Sequence, residues 1–317
     1  MQHSLINHIR QTTPSLTRSN LKLFSISDLE RFSGIKTHTI RVWEHRYGIL
    51  SPLRSDGNVR LYTIDHVRRL LSVALLQNNK HKISNLGKLT DAELEQKVHG
   101  LHDLDCKQQN AVNHLIFYMY TDIEKFEDVL DGCVHCWGID ETIENIIIPF
   151  LGKVQLVSYR DKNFQTHFAV TAVRKKLMVG IEKQNILANN PPVALLFLPE
   201  KEHYDLLLLY MTYLLRRTGT RVLYLGTDIS INNIHPILQD KKPDFLYTYI
   251  TDHKKTKVFE LAAWLRQQYR DVTLHVVTPE ETYPDNQFSN VQFIHYQSFN
   301  AFINSIRVLN SAQLSGQ

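Results

Sequence analysis

Between Thr37 and Tyr47 the chain reads Thr-His-Thr-Ile-Arg-Val-Trp-Glu-His-Arg-Tyr. At helical spacing Ile40, Trp43 and Tyr47 share one face, while Thr37, His38, Arg41 and His45 fall on the opposite one. The first face is suited to packing, and the second leaves imidazole, guanidinium and hydroxyl groups free for hydrogen bonding. The segment Gly48 to Tyr62 then carries Ser-Pro and Asp-Gly turn signals and an alternating Val59, Leu61 pattern with Arg60 and Tyr62, which predicts a small basic β-hairpin. A donor-rich helix followed by a cationic hairpin meets the requirements for reading base edges in the major groove of DNA. Glu44, an anion that DNA would repel, is expected to orient a neighbouring Arg. Other chemistries find less support. Cys133-Val-His-Cys136 has one half of a zinc-ligand pattern and lacks the other, so buried structural thiols are expected. No HExxH, GxSxG or Walker pattern occurs, no Gly-rich loop follows the first strand of the C-terminal segment, and the 16 histidines are scattered. Neither a metal site nor a catalytic residue is expected, and the chain reads as a non-enzyme.

These residues need elements to hold them. Ser25-Ile-Ser-Asp28 reads as a capping box opening a short helix that stops at Gly34, and a tight turn leads into the helix of Thr37 to Tyr47. Thr63 is expected to cap a third helix reaching about Asn79. A shorter helical piece ends near Gly100, and Leu101 to Gln109 reads as a polar linker. From about Ala111 to Lys183 the pattern predicts some four amphipathic helices, a bundle. Beyond it, apolar runs at Val193-Phe197, Val222-Leu225, Phe245-Ile250, Leu274-Val277 and Val291-Ile294 alternate with helical stretches, the signature of a doubly wound parallel sheet. The expected fold is mainly α plus α/β: a winged helix-turn-helix head, a helical bundle and a Rossmann-like sheet. The corresponding boundaries are a tail at 1–21, a DNA-binding domain at 22–92, a linker at 93–109, a bundle at 110–188 and the α/β domain at 189–312.

Charge agrees with that division. The net charge over 317 residues is only +4, yet residues 1–90 hold 14 Lys and Arg against 5 Asp and Glu, leaving −5 on the remainder. A cationic head on an acidic body implies a polyanion partner for the head. No apolar run approaches the roughly 18 residues of a membrane helix, so no membrane partner is expected. With no secretory signal at the N-terminus and three cysteines in all, a cytoplasmic location is expected.

The run Thr39-Ile-Arg-Val-Trp-Glu-His-Arg-Tyr-Gly48, followed by Pro52-x-Arg54 and Arg60-x-Tyr62, closely resembles the MerR-type family of bacterial transcriptional regulators over about residues 22–92. The resemblance implies that the second helix enters the major groove and that the wing grips the backbone. Position by position, it assigns His38 and Arg41 to base edges or nearby phosphates and Arg46, Arg54, Arg60 and Tyr62 to phosphates, with Thr37 and His45 on the same exposed stripe. Where the family has Gly-aromatic-Arg at the wing tip, this chain has Gly57-Asn-Val-Arg60. The implied partners are double-stranded promoter DNA, a second copy of the chain in a homodimer or larger oligomer and, indirectly, RNA polymerase.

Behind such a head, a bundle and a doubly wound domain resemble the cobalamin-binding light-sensing regulators over about residues 108–310. That family carries Glu-x-His-x-x-Gly, its His ligating cobalt and its Gly admitting the corrin ring. Alignment through Tyr213-Leu-Leu-Arg216 and Leu225-Gly226 sets Glu202 on the Glu, Tyr204 on the His and Leu207 on the Gly, with His203 one residue, about 100°, out of place. The family's Trp-x9-Glu-His maps to Leu156, Thr166 and His167, and its Gly-Gly to Glu280 and Glu281 within Thr278-Pro-Glu-Glu281. A degenerate site built from Leu156, His167, Glu202, His203 and Tyr204 implies no cofactor, with cobalamin the cofactor if the family site is retained. The expected function is a DNA-binding regulator whose body oligomerises and senses an effector without cobalamin. The alternatives are a cobalamin-binding light- or ligand-responsive regulator and, from another class, a corrinoid-dependent enzyme.

Overall fold

The computed structural model describes residues 22–154, 164–185, 190–200, 202, 205–230, 233–250, 255–269, 271–278 and 293–314. The chain divides into two compact units, Met1–Leu156 with Lys162–Ala169, and Val157–Asp161 with Val170–Gln317.

In the first unit, α1 (Ile26–Ser33) opens with a reciprocal capping box: the Asp28 N–H donates to Ser25 Oγ at 3.2 Å and the Ser25 N–H to Asp28 Oδ2 at 2.9 Å. It ends at Gly34 with φ 75°, a left-handed conformation that suits glycine. Next come α2 (Thr37–Tyr47), the two-residue strands β1 (Leu53–Arg54) and β2 (Arg60–Leu61), α3 (Ile64–Asn78), α4 (Ile83–Leu86) and α5 (Asp91–His99). The strands pair antiparallel, Leu53 opposite Leu61 and Arg54 opposite Arg60. Phe24 and Tyr62 exchange backbone hydrogen bonds of 2.8 and 2.9 Å, which ties the start of the domain to the base of the wing. Leu29, Phe32, Ile40 and Trp43 are buried with Val67, Leu70 and Leu71 of α3.

The helices α6 (Leu104–Thr121), α7 (Ile123–Thr142) and α8 (Ile148–Val154) follow in this unit; α7 kinks at Gly138 (φ 81°, ψ 167°), and a π-turn, Ile143–Ile147, joins it to α8. Residues 101–109, expected as a linker, are largely the first turns of α6. Cys106 and Gln108 are buried there, and Cys106 Sγ donates to Asn79 Oδ1 at 3.2 Å. The polar sequence concealed a helix whose inward positions pack on α3. Tyr120 meets Phe24 edge-on at 5.1 Å between ring centroids, and Arg68 lies over Phe117. The helix-turn-helix and wing thus share a core with α6. The unit boundary falls within α9 (Phe164–Lys183).

The second unit holds β3 (Val193–Pro199), α10 (Asp205–Arg217), β4 (Arg221–Ile229), α11 (His235–Lys241), β5 (Phe245–Tyr249), α12 (Lys255–Gln268), β6 (Thr273–Val277), β7 (Phe293–Tyr296) and α13 (Phe299–Leu314). All strands run parallel in the order β4-β3-β5-β6-β7, a doubly wound sheet. Residues 194–199 of β3 are buried without alternation, as a central strand covered on both faces requires. One face packs Leu195, Phe197, Leu246, Leu274 and Val276 against Leu238, Leu261 and Leu265. On the other face Tyr247, His275 and Tyr296 stack across three neighbouring strands, with Phe302 edge-on to both tyrosines. Sequence periodicity missed α11, a seven-residue helix with Pro236 in its first turn.

Candidate nucleic-acid interface

The geometry of α2 starts from its N-terminus. Lys36, its N-cap, makes no side-chain cap; Glu30 of α1 supplies one instead, accepting from the Thr37 N–H at 3.1 Å and from Lys36 Nζ at 3.0 Å. The Lys36 hydrogen bond, followed by that of Thr37, holds the Glu30 carboxyl below its usual range. A carboxylate at a helix N-terminus suits the exposed N–H groups there. Gly48, with φ 61°, ends the helix.

Successive residues rotate by about 100° along such a helix. Arg41, His45, His38, Val42 and Arg46 therefore span one arc of roughly 140°, and all five are exposed. Ile40 and Trp43 lie opposite and are buried. Thr37, expected on the exposed stripe, is half-buried at its edge beside Glu30. Val42 belongs to the arc although its apolar side chain gave no signal for function.

The wing presents Arg54, which is exposed and donates from Nη1 to Asn58 Oδ1 at 2.6 Å. Asn58 takes the turn at φ 59°, a conformation asparagine tolerates. Arg60 donates from Nε to Glu44 Oε2 at 3.2 Å and keeps a side-chain exposure of 36%. Tyr62 is different. Its exposure is 0%, and its hydroxyl donates to Glu44 Oε1 at 2.5 Å. Burial first, then the Glu44 hydrogen bond and charge, push its phenol pKa far above the usual value. The expectation that Tyr62 contacts phosphate is therefore corrected: the ring is core, and its hydroxyl is committed to a carboxylate inside the domain. Glu44, 8% exposed, orients Arg60 as expected and Tyr62 as well, joining α2 to the wing.

Two further groups hold the frame. Arg69 of α3 donates to the carbonyls of Ile49 (2.7 Å) and Leu89 (2.8 Å) and pairs with Asp91, tying together the end of α2, α3 and the start of α5. His66 closes the capping box of α3. Its Nδ1 accepts from the Thr63 N–H at 3.1 Å, and burial lowers its pKa.

In the second unit, the segment compared with the cobalt-ligating signature begins after β3, at the switch point between β3 and β5, where doubly wound sheets bind ligands. Glu202 is 1% exposed, and its N–H donates to the Pro199 carbonyl at 3.1 Å. Leu207, at the position of the family's glycine, is 5% exposed in the first turn of α10. Arg174 Nε donates to Asp205 Oδ2 at 2.9 Å and holds that turn. His203, Tyr204, Leu156, Glu280 and Glu281 lie outside the described residues. His167 is exposed on α9 and Thr166 is buried; both belong to the first unit, whereas Glu202 belongs to the second. Cys133 is buried, which pushes its thiol up to about 11, and Cys136 is exposed. Among the described residues no cluster of three His, Cys, Asp or Glu is arranged to hold a metal, and no helix is long and apolar enough to cross a membrane.

A helix-turn-helix with an exposed cationic arc, followed by a two-stranded wing, defines a winged helix-turn-helix DNA-binding domain. Residues 24–93 match the MerR HTH family regulatory protein model. The chain is 26% identical to the HTH-type transcriptional repressor CarA of Myxococcus xanthus over 223 residues, 69% of this chain and 73% of CarA. It is also 26% identical to the HTH-type transcriptional repressor CarH of the same organism over 252 residues, 75% of this chain and 82% of CarH. Residues 24–93 are thus a MerR-type domain, and the chain is similar to CarA and CarH over 69% and 75% of its length. The monomethylamine corrinoid protein of Methanosarcina barkeri superposes with a TM-score of 0.46 at 12% identity, covering 64% of this chain and 96% of its own.

Proposed function

We propose that this chain is a sequence-specific, MerR-type transcriptional regulator. The arc of α2 reads the major groove, and the wing holds the flanking backbone. The observation that carries this reading is the exposed set of His38, Arg41, His45 and Arg46 on α2, with Arg54 exposed on the wing, and Glu44 withdrawn from that face, its charge paired with Arg60 and its other oxygen hydrogen-bonded by Tyr62. The match to the MerR model and the similarity to two transcriptional repressors support it. Arg41 and His38 are assigned to base edges; Arg46, Arg54 and Arg60 are assigned to phosphates. One head of this size reads few base pairs, so the working form is a two-fold dimer on a roughly palindromic site, in the compartment that holds the DNA. RNA polymerase is met indirectly, through the promoter.

Fluorescence anisotropy of the full chain on its own upstream DNA tests the reading. Arg41→Ala and Arg54→Ala should each weaken binding, and loss of a phosphate contact should lower the slope of log K against log salt by about 1. Unchanged affinity and slope in both variants would remove this interface.

For the body, the residues present do not fit a cobalt-ligated corrinoid. A packed leucine stands where the family needs glycine for the ring to approach, and Tyr204 replaces the imidazole ligand. The body therefore serves oligomerisation and effector response without cobalamin, and the chain is a non-enzyme. Within the first unit α6 packs on α3, the helix that follows the wing. Protein purified after exposure to cobalamin should carry no corrinoid absorption; a stoichiometric corrinoid spectrum would restore the light- or ligand-responsive alternative.

A further inference from the structure

The exposed arc of α2 contains one side chain without hydrogen-bonding capacity. Val42 is 42% exposed, flanked by Arg41 and one helical turn from His38 and His45. The helix gains nothing from it there, because a β-branched residue is a weaker helix former than the straight-chain alternatives and here its methyls face water. The packing face is already filled by Ile40 and Trp43, with Leu29 and Phe32 of α1 buried in the same domain. In the major groove the apolar group offered by a base edge is the 5-methyl of thymine, and a small aliphatic side chain is its natural partner.

We propose that Val42 is a specificity-determining residue that packs on the 5-methyl group of one thymine in each half-site. The inference rests on the head reading DNA through α2. It adds a methyl-directed element to a face whose other exposed members, His38, Arg41, His45 and Arg46, act through charge and hydrogen bonds.

The experiment uses the full chain and a duplex selected from a randomised library. Each thymine of the selected duplex is replaced in turn by deoxyuridine, which removes only the methyl group, and affinity is read by fluorescence anisotropy at fixed salt. One thymine per half-site should respond, with affinity falling about three- to fivefold, the effect of losing one buried methyl contact. Val42→Ala, which removes the contact in both half-sites at once, should bind the parent duplex about nine- to twenty-fivefold weaker, the square of the single-site factor, and no longer distinguish thymine from deoxyuridine at that position. Val42→Ile should retain the distinction. Because Val42 is exposed, Val42→Ala should leave the melting temperature unchanged or slightly raised. A selected duplex with no deoxyuridine-sensitive position, or a Val42→Ala protein that keeps full sensitivity, overturns the assignment of Val42 while leaving the DNA-reading head intact. Failure to select any sequence, with only salt-dependent binding to random duplex, overturns the head's function and this inference with it.

Discussion

Glu44 offers the sharpest test of how the head is held together, because two explanations of its role predict opposite signs. The carboxylate accepts from Tyr62 at 2.5 Å and from Arg60 at 3.2 Å, and its side chain is 8% exposed. A hydrogen bond to a charged group contributes about 1.5–3 kcal/mol, so Tyr62→Phe should destabilise the first unit by about that much. The Arg60 pair reaches the surface and adds about 0–1 kcal/mol. Glu44→Ala removes both and leaves the Tyr62 hydroxyl buried without an acceptor, while relieving the desolvation of the carboxylate. The net loss is about 2–4 kcal/mol. At roughly 2–4 °C per kcal/mol for a unit of this size, thermal denaturation followed by circular dichroism should show a fall of about 4–16 °C. Because both substitutions break the same bond, Glu44→Ala with Tyr62→Phe should be less destructive than the sum of the singles by about 1.5–3 kcal/mol. If Glu44 positions the wing, Glu44→Ala should also weaken DNA binding, about five- to tenfold, measured well below the melting transition. If it served only as an unfavourable anion, its removal would tighten binding. Additive destabilisation together with tighter binding would falsify the positioning role.

Further outcomes follow from other contacts. A Cβ at Gly87 would sit 2.4 Å from the Tyr47 carbonyl oxygen, a backbone atom, so Gly87→Ala should destabilise the first unit by about 1–3 kcal/mol in chemical denaturation. His66 caps α3 through an unprotonated Nδ1, and its pKa is lowered by burial. The unfolded state therefore takes up the proton first: the contribution of this cap is fully present above about pH 6.5 and is lost as pH falls through the lowered folded value. His66→Gln should remove that part of the pH dependence, a contribution of about 0.5–2 kcal/mol visible as a change in urea midpoints between pH 7.5 and 5. In the second unit, burial lowers His275 to about 4, so His275→Phe, which preserves the aromatic stack, should flatten the loss of stability between pH 6.5 and 4. Arg69→Ala should loosen the end of α2 and the start of α5 together, detected as faster amide exchange in both segments.

What could be read from the amino-acid order, and what could not, follows from the range of each interaction. The capping box of Ser25, the cap at Thr63, the bounds Thr37–Tyr47 and the parallel strands depend on local chemistry or on continuous apolar runs, and the structure has the caps, the helix and the first four strands of the sheet on the predicted segments, while the last strand runs Phe293–Tyr296 where Val291–Ile294 is expected. The first turns of α6 read as a linker because only Cys106 and Gln108 face inward there, amid polar neighbours whose packing partner, α3, is distant in sequence: Cys106 meets Asn79 across 27 residues. The place of Tyr62 escapes the sequence for a related reason. Its place in the motif suggests an exposed phenol, but whether a hydroxyl faces a phosphate or a carboxylate depends on which residue lies across the domain, and here that residue is Glu44. Val42 shows the complementary limit. Its apolarity argues for the core, its position on the helix argues for solvent, and the exposed arc resolves the conflict in favour of position. Type and position disagree here on a helix already packed on its other side, and under the proposed reading of DNA by α2 the apolar partner of Val42 is a thymine methyl in the major groove.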